Sequence, residues 1–185
     1  MLIVLEGMEG SGKSTATKTL GNALHMITTF EPCDPLIRGV IMDKKWDSLT
    51  ETFLFASDRA NHQALLKDND VICDRYIDSN VVYQSILGSV DKEYIYDLNK
   101  NFVQPDIVFI LDVSEDVARE RINGRKNNNR FDEIDKLSTM RKAYLSLEDE
   151  NHVVIDASQS VEYTIEQILN VLKERGLLKE SLYRE

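Results

Sequence analysis

The chain has 185 residues, of which 42% are hydrophobic and 29% are charged, and this is the size and balance of one globular domain with a single buried core. Its formal net charge of −10 argues against a nucleic-acid polymer as a partner, because proteins that bind a phosphate backbone usually present a basic face. The two isolated cysteines form neither a metal-ligand spacing nor a disulfide framework, and no apolar run reaches the roughly 20 residues of a membrane span. We therefore expect a single domain over residues 1–185, located in the cytoplasm and without a membrane partner.

Short apolar runs alternate with longer amphipathic stretches along the chain. Continuous apolar runs of this length are typical of strands buried on both faces. The predicted buried strands lie at residues 2–5, 71–73, 107–111 and 153–155, and a fifth strand, short and rich in threonine, is predicted around residues 27–29. The clearest helix follows the last strand, where one apolar stripe at helical spacing consists of Val161, Ile165, Ile168, Leu169 and Leu172. This alternation predicts an α/β fold in three layers, with a five-stranded parallel sheet between helices.

A glycine-rich segment directly after the first strand fits the P-loop pattern G-x-x-x-x-G-K-[S/T]. It consists of Gly7, Met8, Glu9, Gly10, Ser11, Gly12, Lys13, Ser14 and Thr15. In such a loop the backbone N–H groups and the N-terminus of the following helix hold the phosphates of ATP or another nucleoside triphosphate. Lys13 would reach the β- and γ-phosphates, and the Ser14 hydroxyl would coordinate Mg²⁺. Glu9 is either a contact of the metal's water shell or a solvated loop acid.

The P-loop predicts the P-loop NTPase form of the α/β fold, but by itself it does not separate kinases from other NTPases. The guanine-reading tetrapeptide N-K-x-D of GTPases does not occur in the chain. Motor ATPases are normally longer than 185 residues. The small size therefore favours a nucleotide or metabolite kinase.

The third predicted strand ends in the polar triplet Asp74-Arg75-Tyr76. In open α/β sheets the ligand crevice lies at the carboxyl ends of the strands. Asp74 could order Mg²⁺ or its waters, and Arg75 could bridge the donor and acceptor phosphates, where charge develops during transfer. A salt-bridged surface pair is the alternative interpretation of these two charges.

Residues 119–131 form a polar, turn-prone and basic segment between two helical stretches. Against the one acid Glu120 it carries the basic residues Arg119, Arg121, Arg125, Lys126 and Arg130. Positive charge concentrated in an otherwise acidic chain predicts a short lid that clamps phosphates. An ordinary surface loop is the alternative interpretation of this segment.

In their order along the chain, these motifs resemble the thymidylate kinase family, and the resemblance covers essentially the whole chain. That family joins a P-loop to a Glu-Pro segment, an F-x-x-x-R helix, an Asp-Arg-Tyr or Asp-Arg-His strand end and a lid. The matching residues here are Glu31-Pro32, Phe55 with Arg59, Asp74-Arg75-Tyr76 and residues 119–130. The resemblance implies phosphorylation of dTMP to dTDP by Mg-ATP, and it implies a homodimer.

The resemblance also implies roles for individual side chains. Phe55 would stack on the thymine ring, a contact typically worth about 1–3 kcal/mol, and the alternative from the sequence alone is packing in the core. Tyr83 would exclude a ribose hydroxyl, which favours deoxynucleotides, and Arg119 would pack on the adenine of ATP. Members of the family supply a cation to the transition state either from the P-loop or from the lid. Because this P-loop has no arginine, the resemblance implies the lid, with Arg125 and Arg130 as the predicted catalytic residues. The implied acceptor-binding residues are Glu31, Pro32, Arg38, Phe55, Arg59, Arg75, Tyr76, Ser79, Asn80, Tyr83 and Gln84.

Residues 30–35 depart from the pattern of that family. Many members read Arg-Glu-Pro-Gly-Gly-Thr where this chain reads Phe-Glu-Pro-Cys-Asp-Pro. The arginine and the glycine pair are missing, and this leaves more of the acceptor phosphate to Arg38. Another nucleoside monophosphate or a deoxynucleoside therefore stays open as the acceptor, and the remaining alternative is a nucleotide-binding switch without turnover.

Overall fold

The structure is a computed structural model that describes residues 1–124 and 134–178. Five parallel strands form one sheet in the order β2-β3-β1-β4-β5. Their bounds are Leu2–Glu6 for β1, Ile27–Phe30 for β2, Val71–Asp74 for β3, Ile107–Asp112 for β4 and His152–Asp156 for β5. Each predicted strand is present, so the prediction of a five-stranded parallel sheet is confirmed.

Helices cover both sides of the sheet, which confirms the three-layer prediction. Their bounds are α1 Lys13–Leu24, α2 Pro35–Asp43, α3 Ser48–Asp68, α4 Ile77–Asn80, α5 Lys92–Asn99, α6 Glu115–Asn123, α7 Leu137–Leu145 and α8 Val161–Glu174. A π-helical segment, Val81–Ile86, continues α4, and a 3₁₀ turn, Ile134–Lys136, precedes α7. No helix within the two described ranges is long and apolar enough to cross a membrane.

The apolar stripe predicted for the last helix lies in α8. Ile165, Ile168 and Leu172 are buried in the core, and α8 packs against α1. The helix begins directly after Ser160, whose hydroxyl accepts the backbone N–H of Tyr163 at 3.3 Å. This contact caps a backbone donor that would otherwise lack a partner in the first turn. Sequence periodicity and end signal therefore agree on where this helix lies.

The carboxyl ends of the strands lie at one edge of the sheet, and this edge positions the site. β1 runs into the P-loop, β2 runs into Glu31, and β3 runs into Arg75. The register places Asp74 beside both Leu5 of β1 and Phe30 of β2. Segments that are far apart in the sequence therefore meet at this edge, as in other open α/β sheets.

Candidate active site

A cavity of about 650 Å³ lies at the carboxyl edge of the sheet, and its volume is that of a small-molecule site. The P-loop forms one end, and α3 with the segment after β3 forms the other. The P-loop residues that line it are Glu9, Gly10, Gly12, Lys13, Ser14 and Thr15, while Gly7, Met8 and Ser11 are buried in the loop itself. The lining also includes every residue assigned to the acceptor, namely Glu31, Pro32, Arg38, Phe55, Arg59, Arg75, Tyr76, Ser79, Asn80, Tyr83 and Gln84. One cavity thus brings together the donor-side and acceptor-side predictions.

The P-loop is tightly wound, and its lysine already has hydrogen-bond partners. Gly10 has a φ of 80°, and a Cβ atom there would lie 2.6 Å from the backbone oxygen of Ala118 in α6, so only glycine fits. The Lys13 amine donates to the carbonyl oxygens of Gly7 and Met8 at 2.8 and 2.9 Å. Burial lowers the pKa of Lys13 to about 8. A phosphate group beside this amine would be a stronger acceptor than the two carbonyl groups.

Two oxygen-bearing side chains beside the P-loop suit a magnesium ion. The Ser14 hydroxyl donates to Oδ2 of Asp74 at 2.5 Å. The other carboxylate oxygen of Asp74, Oδ1, is buried and has no hydrogen-bond partner among the described residues. Mg²⁺ binds one or two protein oxygens and completes its octahedron with waters and phosphate oxygens. The donor set therefore fits the predicted metal without a larger cluster of carboxylates.

Arg75 connects the end of β3 to the P-loop. It has a φ of 72°, and its Nη2 lies 2.5 Å from Oε1 of Glu9. Its Nη1 donates to Ser79 Oγ at 2.9 Å and to the Tyr144 hydroxyl at 3.2 Å. Burial works against the charge, but Glu9, Tyr83, Tyr144 and Asp74 together outweigh it and raise the pKa of Arg75. Glu9 also accepts the Tyr83 hydroxyl at 3.1 Å, so this acid is an ion-pair partner and not a freely solvated loop residue.

The acceptor end of the cavity includes the ring of Phe55 and an arginine, Arg59, that forms a buried ion pair. Phe55 is only half-buried and lines the cavity, so packing in the core does not account for it. Arg59 is 1% exposed and forms a 2.7 Å ion pair with Glu31, while its Nη1 donates to Asn99 at 2.6 Å. The ring of Tyr76 lies beneath the same guanidinium group, at 4.9 Å. Arg59 is therefore held rigidly by groups of the protein before any substrate arrives.

Arg38 takes part in the altered segment that follows β2. Its Nη1 donates to the carbonyl oxygen of Pro32 at 3.1 Å. Its guanidinium carbon lies 5.2 Å from the ring centre of Phe30, the residue that replaces the arginine of many family members. The aromatic replacement thus serves as a platform for the neighbouring cation.

A sequence model of the thymidylate kinase family matches residues 5–168. A probable thymidylate kinase of Methanocaldococcus jannaschii is 38% identical, over 94% of this chain and 96% of its own. The chain belongs to the thymidylate kinase family. A thymidylate kinase of Chlamydia felis is 34% identical, over 97% of this chain and 100% of its own. The solved structure of thymidylate kinase from Candida albicans superposes with a TM-score of 0.80 at 19% identity, over 96% of this chain and 93% of that one, which shows a shared fold.

Membership of the thymidylate kinase family makes the chain a P-loop phosphotransferase.

Glu6 holds the turn that carries Arg75, and the sequence analysis did not identify it as a functional residue. Glu6, the last residue of β1, is fully buried. Its Oε1 accepts the backbone N–H groups of Tyr76 and Ser79 at 2.7 and 3.1 Å, and its Oε2 accepts the Ser79 hydroxyl at 2.6 Å. Burial, with a contribution from the charge of Asp78, raises the pKa of Glu6 to about 7. Glu6 thereby fixes the turn that carries Arg75. The signal for Glu6 in the sequence is a single acidic residue at the end of an apolar strand.

The basic segment, residues 119–131, is only partly within the described residues. Residues 119–123 belong to α6, whereas Arg125, Lys126 and Arg130 lie outside the described ranges, and the catalytic role of Arg125 and Arg130 stays a prediction. In α6, Arg119 is exposed and does not line the cavity.

Arg121, which the sequence analysis named only as one of the basic residues of this segment, contacts the P-loop. Its Nη1 lies 3.4 Å from the carbonyl oxygens of both Gly10 and Ser11, and its Nη2 donates to that of Ala157 at 3.0 Å. Arg121 lies three positions after the buried Ala118, on the same face of α6, and this phase becomes apparent only once the burial of Ala118 is known.

Proposed function

We propose that this chain transfers the γ-phosphoryl group of ATP to dTMP, giving ADP and dTDP, with Mg²⁺ bound beside the triphosphate. One observation carries the proposal: a single cavity joins a P-loop to a pocket with a half-buried aromatic ring. Arg75 lines this cavity and contacts the P-loop through Glu9. Membership of the thymidylate kinase family supports the same reaction.

On the donor side, the P-loop binds the triphosphate of ATP. Lys13 would exchange its carbonyl partners for oxygens of the β- and γ-phosphates. Ser14 and Asp74 would hold Mg²⁺, which when bound neutralises part of the phosphate charge. Arg121 braces the loop from the side of α6 and replaces Arg119 as the proposed donor-side arginine of that helix.

On the acceptor side, the base of dTMP packs against Phe55, and its phosphate lies near Arg38 and Arg75. Arg59 contributes one face of the pocket, and its charge is largely balanced by Glu31. The Tyr83 ring lines the sugar region, which supports a preference for deoxynucleotides because a ribose hydroxyl would need space beside it.

In the transfer step, an oxygen of the acceptor phosphate attacks the γ-phosphorus. The bond from that phosphorus to the bridging oxygen breaks, and ADP leaves with the electron pair. Charge then spreads over the transferring group, and Lys13 and Arg75 are placed to stabilise it. A loose transition state of this kind needs little from a general base, so we assign none. Arg125 and Arg130 remain the proposed lid residues that add charge and exclude water.

The altered segment after β2 favours one further candidate, a kinase for another nucleoside monophosphate or for a deoxynucleoside, because Phe30 changes the surroundings of Arg38. The test follows ADP release with Mg-ATP and dTMP, dUMP, UMP, dCMP, AMP, thymidine or no acceptor. We expect dTMP to exceed every other acceptor in kcat/KM by about an order of magnitude or more. Another acceptor in first place would replace the substrate, and release that no acceptor raises above the blank would restore the switch without turnover.

We also propose a cytoplasmic homodimer. Its support is a group of exposed apolar side chains near α3 and α5, formed by Leu49, Phe53, Ile86 and Tyr94. The Phe53 and Tyr94 rings pack edge to face with centres 6.3 Å apart. Light scattering after gel filtration should give twice the 21.2 kDa chain mass, and Phe53→Asp should yield a monomer. A monomeric unsubstituted chain at micromolar concentration contradicts this part of the proposal.

A further inference from the structure

A buried chain of three polar side chains lies at the acceptor end of the cavity. Gln84 donates from Nε2 to Oε2 of Glu51 at 2.9 Å, and Asn80 donates from Nδ2 to Oε1 of Gln84 at 2.8 Å. Asn80 and Gln84 line the cavity, whereas Glu51, in the first turn of α3, does not. The three side chains are 8% exposed or less. The series of hydrogen bonds therefore runs from Glu51, behind the cavity wall, to Asn80, in the cavity wall.

The Glu51 carboxylate at the inner end fixes the donor-to-acceptor direction of this series of hydrogen bonds. An amide side chain carries a donor at one side and an acceptor at the other, and two amides alone can pair in either orientation. A carboxylate only accepts, so the nitrogen of Gln84 has to face Glu51. The oxygen of Gln84 then faces Asn80, which has to answer with its own nitrogen. The oxygen of Asn80 is what remains.

The remaining oxygen, at the outer end of this series of side chains, is the atom that a ligand would contact. Oδ1 of Asn80 is buried and has no hydrogen-bond partner among the residues that the structure describes. A buried acceptor without a partner is unfavourable, and a ligand that brings a donor to it is favoured accordingly. A base that stacks on Phe55 in the same cavity can bring one. Thymine and uracil have an N–H between their two carbonyl groups, whereas cytosine has a bare acceptor nitrogen at that position.

We propose that Glu51, which does not line the cavity, determines base specificity by fixing the orientation of the Gln84 and Asn80 amides so that the site offers an acceptor to a ring N–H. This inference rests on the proposed function and names the part of the substrate that the site reads. Glu51 acts through two other residues, and is therefore a positioning residue. The discrimination arises because the wrong base would set two acceptors against each other.

The test compares dUMP with dCMP, since these nucleotides lack the thymine methyl group and differ only at the ring nitrogen and the adjacent exocyclic group. Dissociation constants are measured by calorimetry without ATP, so the readout does not require turnover. We expect Glu51→Gln to reduce the preference for dUMP over dCMP by about tenfold or more, because a terminal amide allows both orientations. Asp68→Asn, which removes an equal charge from the exposed end of the same helix, should leave the preference unchanged.

A double exchange sharpens the test. In Glu51→Gln/Gln84→Glu the carboxylate occupies the middle of the chain, where it still accepts from Asn80 and leaves the same oxygen outward. The double variant should therefore recover the dUMP preference that the single variant loses, which a merely structural role of Glu51 would not produce. If Glu51→Gln does not fold, Gln84→Met replaces it, because methionine has a similar volume and releases Asn80 from the chain.

The measured nucleotide preferences support or overturn the role proposed for Glu51. An unchanged preference in the folded single variant, or an equal loss of affinity for both nucleotides, overturns the role of Glu51. An unsubstituted chain that prefers dCMP, or binds neither nucleotide, overturns this inference together with the dTMP proposal. A preference that shifts as expected in a chain without kinase activity leaves the inference standing and removes only the proposed reaction.

Discussion

Arg75 is held at three points by groups from the P-loop, from α4 and from α7. Glu9 holds one nitrogen, and Ser79 with Tyr144 holds another. A planar guanidinium group can satisfy such partners simultaneously, whereas an ammonium group is a single point of charge. The orientation of the side chain is therefore as constrained as its charge.

Replacing Arg75 by lysine should separate these two properties. We expect Arg75→Lys to lower kcat by about a hundredfold with a smaller change in the KM for ATP, because the positive charge is kept but the planar group that orients it toward the transition state is lost. Steady-state ADP release measures both parameters. Arg175→Lys, on the exposed end of α8, is the control and should leave them unchanged. Kinetics within twofold of the unsubstituted chain would remove Arg75 from the transfer step.

Phe55 lines the acceptor end of the cavity as a half-buried ring. Phe55→Ala should raise the KM for dTMP by about tenfold or more and leave the KM for ATP nearly constant, since a stacking contact is worth about 1–3 kcal/mol. Phe55→Leu, which keeps apolar bulk without a ring, should have a KM for dTMP between those of the unsubstituted chain and Phe55→Ala. If both variants bind dTMP normally and only lose thermal stability, the ring serves the core instead.

At the scale of elements, α6 carries two arginines that point in different directions. Arg121 contacts carbonyl oxygens of the P-loop, and Arg119 is exposed. Arg121→Ala should raise the KM for ATP by about tenfold, because charged hydrogen bonds that shape the donor site are lost, and Arg119→Ala should change it by less than about twofold. Measuring both variants against ATP with saturating dTMP decides between them. A larger effect at Arg119 would favour the assignment that the family resemblance implied.

The same pair shows what the sequence could and could not predict. Strands β1, β3 and β4 were predictable because continuous apolar runs indicate burial, whereas β2, at the edge of the sheet, is mostly exposed. The P-loop was predictable because its spacing is a backbone requirement. Arg119 and Arg121 are basic residues of the same helix and differ in the face on which they lie. The presence of a basic cluster in the sequence does not show which of them faces the P-loop. The contacts of Glu6 and Glu51 join residues more than thirty positions apart, so no local pattern announces them.

At the scale of the whole molecule, His152 ties the start of β5 to α4. Its Nε2 lies 3.0 Å from Asp78, and its Nδ1 lies 2.7 Å from Asp149. Burial opposes the charged ring, but the hydrogen bonds and charges of the two aspartates prevail and raise the pKa of His152 from 6.5 to about 9. Since the folded protein binds this proton more tightly than the unfolded chain, the stabilisation is complete below pH 6.5 and is lost as the pH rises through about 9.

His152→Gln should remove this pH dependence. We expect the variant to be less stable than the unsubstituted chain by about 1–2 kcal/mol at pH 6, with the difference shrinking toward pH 9.5. Urea unfolding at several pH values measures the free energy of unfolding in both chains. His25→Gln, at the exposed end of α1, is the matched control and should follow the unsubstituted chain. A constant difference between pH 6 and pH 9.5 would show that the ring contributes packing and not charge.

The winding of the P-loop has a consequence for how this protein can evolve. Gly10 faces the backbone of α6 with no room for a side chain, and Glu9 is the ion-pair partner of Arg75. An arginine introduced at position 9 would confront Arg75, and one introduced at position 10 would displace a helix. No single substitution at these two positions can therefore move the cation into the loop without first altering β3 or α6. In this chain, a cation in the loop would therefore need a compensating change in β3 or α6 as well.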